Sequence, residues 1–159
     1  MTATDPALRK TLRTGWLLLA VSLPFGVTLE ALHGFKVQAF LASETRREMW
    51  RLAHAHGTLL GILCLVFVAL GENHVPESAR VSAARLVRWG AVLMPLGFFL
   101  GGILNSEGDP SLGVLLVPVG ALLLIVALLK CAFATERPAS SADAPTERRR
   151  GGGNKPTKR

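Results

Sequence analysis

Hydrophobic and polar residues occur in long alternating blocks along the 159-residue chain. Four nearly uncharged apolar blocks cover Thr14–Phe35, Leu52–Leu70, Leu86–Leu104 and Leu112–Ala134. About 20 helical residues cross the roughly 30 Å hydrocarbon core of a bilayer, and each block is long enough to do so. The pattern predicts an all-α integral membrane protein whose four transmembrane helices run up and down as an antiparallel four-helix bundle.

Capping and turn residues indicate where these helices begin and end. Thr45–Glu48 has the spacing of a capping box at the start of the second helix, and Gly71 suits the residue that ends it. Asp109 and Pro110 are expected to cap the fourth helix. The segment 34–51 is expected to rest on the membrane surface. We interpret the first block as a retained span, because its apolar run is longer than a usual signal-peptide core.

Charge is concentrated outside the apolar blocks. The chain has 18 Lys and Arg against 11 Asp and Glu, a formal net charge of +7. Residues 136–159 are rich in Pro, Ser, Gly and basic side chains, so we expect a disordered basic cytoplasmic tail after one domain of residues 1–135. Such a tail is attracted to membrane lipids with anionic headgroups. It has no aromatic residue to stack on bases, so no specific nucleic acid is expected as a partner.

The distribution of basic residues predicts the orientation, because Lys and Arg near span ends favour the cytoplasmic side. With both termini inside, eight basic residues flank the spans on the cytoplasmic side and four on the outer side. The eight are Arg9, Lys10, Arg13, Arg80, Arg85, Arg88, Lys130 and Arg137, and the four are Lys36, Arg46, Arg47 and Arg51. We therefore expect a protein of a bacterial-type cytoplasmic (inner) membrane with both termini in the cytoplasm.

A cluster of titratable residues lies where the first two spans meet the outer membrane face. Glu30 and His33 are three residues apart, so both side chains share one face of the first helix. His54 and His56 open the second span, at the same depth if the helices are antiparallel. Helical bundles bind metals through Glu-x-x-His pairs, and imidazole with carboxylate suits iron, zinc or copper. The predicted metal ligands are Glu30, His33, His54 and His56, and Asn105 and Glu107 could join them.

Haem is the other cofactor that these histidines suit, since two histidines that face each other across a bundle can ligate it. His56 and His33 are the candidate haem ligands. His56-Gly57-Thr58 resembles the haem-ligating second helix of heme–copper oxidase subunit I, which implies a haem ligand at His56. That family has many more spans and histidine ligands than this chain, so no oxidase activity is carried over. The alternatives are a proton-relay or quinone-side role, or hydrogen bonds among these side chains, nearby arginines, headgroups and water.

No short catalytic motif accompanies the cluster: the sequence has no HExxH, phosphate loop, dinucleotide fingerprint or CxxC. We therefore favour a non-enzymatic protein with a structural or accessory role in a membrane complex or homo-oligomer. The competing hypothesis is a membrane redox protein that binds haem or a transition metal. Two glycine pairs, Gly57 with Gly61 and Gly97 with Gly101, are typical of close helix approach, which we expect to occur within the chain.

Overall fold

The computed structural model describes residues 5–103, 105 and 108–135. The helices are α1 (Pro6–Gly34), α2 (Gln38–Leu41), α3 (Glu44–His74), α4 (Glu77–Gly101) and α5 (Leu116–Thr135), and a 3-10 turn (Leu112–Leu115) leads into α5. This part of the chain forms no β-strand, so the all-α prediction is confirmed. The predicted tail 136–159, together with Leu104 and Glu107, lies outside the described residues.

In the described part of the chain, four segments are long and apolar enough to cross a membrane: α1, α3, α4 and Leu112–Ala134. Their most apolar stretches bury only 17%, 28%, 39% and 17% of their residues within the chain. Large apolar side chains therefore face outward on each of them, among them Val27 on α1, Leu59 on α3 and Leu122 on α5. Such exposure is unfavourable in water and favourable in lipid. The prediction of four helices of membrane-spanning length and composition is confirmed.

Helix α4 occupies the centre of the fold. It packs against α1, α3 and α5, whereas α5 packs mainly on α4. The buried core joins Leu60 and Cys64 of α3, Val87 and Ala91 of α4, and Leu124 of α5. The fold is therefore asymmetric, with α5 lying beside a compact group of three helices.

Small residues allow α1 to approach α3 closely. A Cβ atom added to Gly15 would lie 2.9 Å from the carbonyl oxygen of Gly61, which is closer than side-chain atoms approach a backbone. One added to Gly57 would overlap the hydroxyl of Ser22. The glycine pair 57/61 thus lies in a helix contact within the chain, and the contact leaves no room for a methyl group.

The contact between α4 and α5 is equally close. A Cβ atom added to Gly120 would lie 2.8 Å from the backbone nitrogen of Met94 and 3.1 Å from the carbonyl oxygen of Gly90. One added to Gly97 would lie 2.9 Å from the backbone nitrogen of Val117. Backbone-to-backbone packing of this kind is how membrane-type helices associate without a hydrophobic driving force between them.

The predicted ends of the second long helix are wrong. Helix α3 begins at Glu44, because the Ser43 hydroxyl accepts a hydrogen bond from the backbone N–H of Arg46 at 3.2 Å. Thr45 lies in the first turn, and its hydroxyl donates to the carbonyl of Gly108 at 2.6 Å. The helix also continues past the buried Gly71 to His74. The capping residue is therefore two positions earlier than predicted.

The predicted cap of the last helix is also wrong. Asp109 and Pro110 precede the helical residues, and the chain enters the 3-10 turn through Ser111. The Ser111 N–H donates to the carbonyl of Gly101 at 3.0 Å, and its hydroxyl donates to the carbonyl of Leu100 at 2.6 Å. Bonds to the end of α4, rather than a local side-chain cap, fix the path of the chain into α5.

Gly15→Ala tests the close approach of α1 to α3. We expect it to lower the stability of the detergent-solubilised protein by about 1–3 kcal/mol, because the added methyl group forces the two backbones apart. The control is Gly34→Ala, whose Cβ atom would meet nothing within 4 Å. Thermal unfolding followed by circular dichroism measures both variants, and equal stabilities would contradict this packing.

Candidate functional site

Arg46 organises one end of the fold, which we call the rim: the end of α1, α2, the start of α3 and the end of α4. Its guanidinium donates from Nε to the carbonyl of Gly102 at 3.2 Å and from a terminal nitrogen to Oδ1 of Asn105 at 3.3 Å. It also donates to the carbonyl of Ala39. The last carbonyls of a helix have no intrahelical partner and favour a nearby cation, and Arg46 supplies that partner for α4.

Two further polar side chains form hydrogen bonds at the rim. Arg47 donates to the carbonyl of Leu41, which ties α2 to α3. The Asn105 side-chain amide donates to the Ser43 hydroxyl at 2.6 Å. The two arginines therefore hold α2 and the residues after α4 against the start of α3.

Four aromatic rings pack together at the rim: those of Phe25, Phe40, Trp50 and Phe99. The Trp50 ring stacks on those of Phe99 and Phe40, with ring centroids 5.8 and 6.1 Å apart. The Phe25 ring contacts both Trp50 and Phe99 edge-on. The indole N–H of Trp50 donates to the Phe99 carbonyl at 3.2 Å. Trp50 is thus an anchor between α1, α2, α3 and α4. Sequence reasoning missed this cluster, since its members come from four separate segments.

A cavity of about 300 Å³ lies in the groove between α1 and α3, below α2. We call it the rim cavity, and its polar lining consists of Glu30, His33, Arg51 and His54. The other lining residues are Leu23, Gly26, Val27, Leu29 and Phe40. Three of the four predicted metal ligands therefore share one cavity. Arg51 is the polar lining residue that the predicted ligands did not include, although it lies one helical turn before His54 on α3.

His54 is held at the inner wall of this cavity by α1. Its Nδ1 lies 2.8 Å from the backbone carbonyl oxygen of Ser22, so Nδ1 carries the proton and donates it to this carbonyl. The ring fits because residue 26 is glycine: an added Cβ atom would lie 2.7 Å from Nδ1 of His54. In the neutral tautomer, Nε2 remains an acceptor.

His56 faces a different neighbour. Its Nδ1 donates to the carbonyl of Leu52 at 2.8 Å, and its ring lies 4.7 Å from that of Phe98 on α4. His56 does not line the rim cavity. The structure therefore brings Glu30, His33 and His54 together and turns His56 towards α4. The angular separation of about 200° between residues two apart on a helix accounts for this division.

The polar side chains on the α1 side of the cavity have no partner within the described part of the chain. Among the residues that the structure describes, neither Glu30 nor His33 makes a hydrogen bond or ion pair, and both are exposed. Arg51 approaches Glu48 at 3.9 Å, and both side chains are more than half exposed. An exposed pair at this distance contributes little, so it leaves Arg51 available to a ligand.

The geometry gives no support to a preformed metal site. Within residues 5–103, 105 and 108–135, no group of three or more His, Cys, Asp or Glu side chains could hold a metal ion. Glu107, which could have completed one, lies outside the described residues. Metal binding by Glu30, His33, His54 and His56, and haem binding by His33 and His56, remain predictions.

The opposite end of the fold carries a second arginine network that sequence reasoning also missed. Arg80 approaches Asp5 at 3.5 Å, and both side chains are largely buried. Arg80 also donates to the carbonyls of Glu72 and Val75 at the end of α3, at 3.3 and 3.5 Å. Asp5 in turn caps α1 by accepting from the N–H of Ala7 at 2.8 Å. This network joins three helix ends.

Comparison of the chain with protein-family models, curated proteins and solved structures finds no match. The arrangement of its own residues is therefore the basis for a functional interpretation.

The haem hypothesis is tested by the visible spectrum of the detergent-purified protein. Because His56 packs on Phe98 outside the cavity, we expect no Soret band and a metal content far below stoichiometric. A Soret band that His56→Ala abolishes would contradict this expectation. His74→Ala is the control, because His74 is exposed at the far end of α3.

Proposed function

We propose that the chain is an integral protein of a bacterial-type cytoplasmic membrane with a structural or accessory role in a larger membrane complex. Four antiparallel helices span the bilayer in this proposal, and both termini lie in the cytoplasm. The observation that carries it is the separation of polar and apolar groups. The arginine networks lie at the two ends of the fold, and the outward-facing side chains between them are largely apolar.

The order of helix contacts supports the antiparallel arrangement. Along α1, Gly15, Ser22 and Gly26 lie against Gly61, Gly57 and His54 of α3 respectively. Residue numbers rise on one helix as they fall on the other. On α4 and α5, Gly97 lies against Val117 and Gly90 against Gly120, in the same inverse order.

The charges support an orientation with the rim on the outer side. Two of the four basic residues at the rim, Arg46 and Arg47, bind backbone carbonyls and are needed for the fold there. Residues near the other end, such as Arg9 and Arg85, are exposed. Their positive charge is free to act as a cytoplasmic retention signal.

The position of α5 supports the accessory role. Because α5 packs mainly on α4, most of its surface is apolar and uncovered. Its exposed large side chains are Val119, Leu122, Ile125, Val126, Leu128, Leu129 and Phe133. A continuous apolar helix face offers a contact area to lipid or to a helix of another membrane protein.

Membrane fractionation followed by purification in mild detergent tests this function. We expect the chain to stay in the membrane pellet after an alkaline wash and to co-purify with a stoichiometric membrane partner. Leu122→Trp on α5 should lower the yield of that partner severalfold by steric conflict. The matched control is Leu59→Trp on α3, since the two leucines are 61% and 62% exposed.

Three results would contradict the proposal. Release of the chain into the aqueous fraction without detergent would exclude membrane insertion. Purification of the chain without any partner would exclude the accessory role. A partner whose yield is unchanged by Leu122→Trp would exclude α5 as its contact surface.

A further inference from the structure

We infer that the rim cavity binds the headgroup of a phospholipid with a primary ammonium group, as in phosphatidylethanolamine, taken from the outer leaflet. The inference rests on the proposed function, since the rim must lie at a membrane surface. Four observations carry it: the charges of the cavity, the lack of partners for them among the described residues, the apolar groove that leads to them and the fixed position of Phe40 on α2.

The cavity offers one negative and one positive side chain that are not paired with each other. Glu30 has no partner among the described residues, and Arg51 makes only the loose contact with Glu48. An unpaired carboxylate near the end of a membrane span is costly, and a ligand cation relieves that cost. A guanidinium binds phosphate through two parallel hydrogen bonds. A headgroup with an ammonium and a phosphate therefore complements Glu30 and Arg51.

The groove leading to these charges is apolar, as an acyl chain requires. Leu23 and Val27 line the same cavity and are 54% and 72% exposed. They precede Glu30 by seven and three residues on α1, so the three side chains lie along one face of the helix. Under the proposed orientation, this face passes from the hydrocarbon interior to the rim. A lipid has the same order of chemistry, with acyl chains below and a charged headgroup above.

Helix α2 contributes one side chain to the cavity lining. Phe40 is 2% exposed, lines the cavity and stacks on Trp50. Arg46 and Arg47 hold α2 in place through the carbonyls of residues 39 and 41. The part of the cavity wall that α2 contributes is therefore fixed in place by hydrogen bonds to α3.

Hydrogen-bonding capacity selects the ammonium headgroup over its alternatives. A primary ammonium donates three hydrogen bonds, and a carboxylate such as that of Glu30 accepts them. A choline group donates none and prefers several Trp, Tyr or Phe rings, whereas the described lining residues include a single such ring, that of Phe40. A glycerol headgroup leaves a net negative charge beside Glu30.

Native mass spectrometry of the full chain, delipidated in detergent, tests the inference. The probes are phosphatidylethanolamine, phosphatidylcholine and phosphatidylglycerol with identical acyl chains. We expect phosphatidylethanolamine to bind about tenfold more tightly than the other two lipids, the effect of one charge-assisted hydrogen bond. Glu30→Gln should remove most of this preference, and Arg51→Gln should weaken the binding of phosphatidylethanolamine by a similar factor.

Two controls match these variants in charge. Glu72→Gln removes a carboxylate at the opposite end, and Lys36→Gln removes a cation at the rim outside the cavity lining. Both should bind phosphatidylethanolamine like the unaltered chain. Equal binding of the three lipids, a preference that survives Glu30→Gln, or phosphatidylethanolamine binding that Arg51→Gln leaves unchanged would each overturn the inference. If the protein remains in the membrane fraction but lacks this preference, the lipid site is refuted while the proposed membrane function stands.

Discussion

The close approach of α1 to α3 sets the position of the groups at the rim. Helices surrounded by lipid gain little from burying apolar surface, so their association depends on how closely their backbones can pack. Gly15 against Gly61 brings the helices together, and Gly26 gives the His54 ring access to the carbonyl of Ser22. The groove that remains beside this contact is the rim cavity. Packing and the candidate site therefore have the same physical origin.

Arginine side chains complete the fold at both ends. Helix termini leave carbonyl groups without partners, and those groups are expensive to leave unbonded near lipid. Arg46 serves the end of α4, and Arg80 serves the end of α3 while it pairs with Asp5. A guanidinium is suited to this task because it carries five donors in a fixed plane and stays charged. These residues thus have a structural role in addition to any effect on orientation.

The sequence predicted the number of long helices and that each is long and apolar enough to cross a membrane, because both follow from the length and composition of the apolar blocks. It placed the start of α3 wrongly, since Ser43 and Thr45 are both good capping residues. In the structure the Ser43 hydroxyl accepts from the N–H of Arg46, whereas Thr45 donates to the distant carbonyl of Gly108. Helical spacing accounts for the divergence of His54 and His56, but it does not say which neighbour each meets. Arg51 was overlooked because its charge had been assigned to orientation. To assign the neighbours of these side chains, one must know which helices pack together. Contacts between segments that are distant in the sequence determine that packing.

The central claim is that the helices cross a membrane with the rim on the outer side. Labelling of single cysteines in intact cells tests it most directly, in a chain whose Cys64 and Cys131 are replaced by alanine. Lys36→Cys reports on the rim and Glu72→Cys on the opposite end, and both positions are exposed. A membrane-impermeant maleimide should label Lys36→Cys in intact cells and Glu72→Cys only after the cells are opened. The reverse pattern, or labelling of neither cysteine until lysis, would contradict the account.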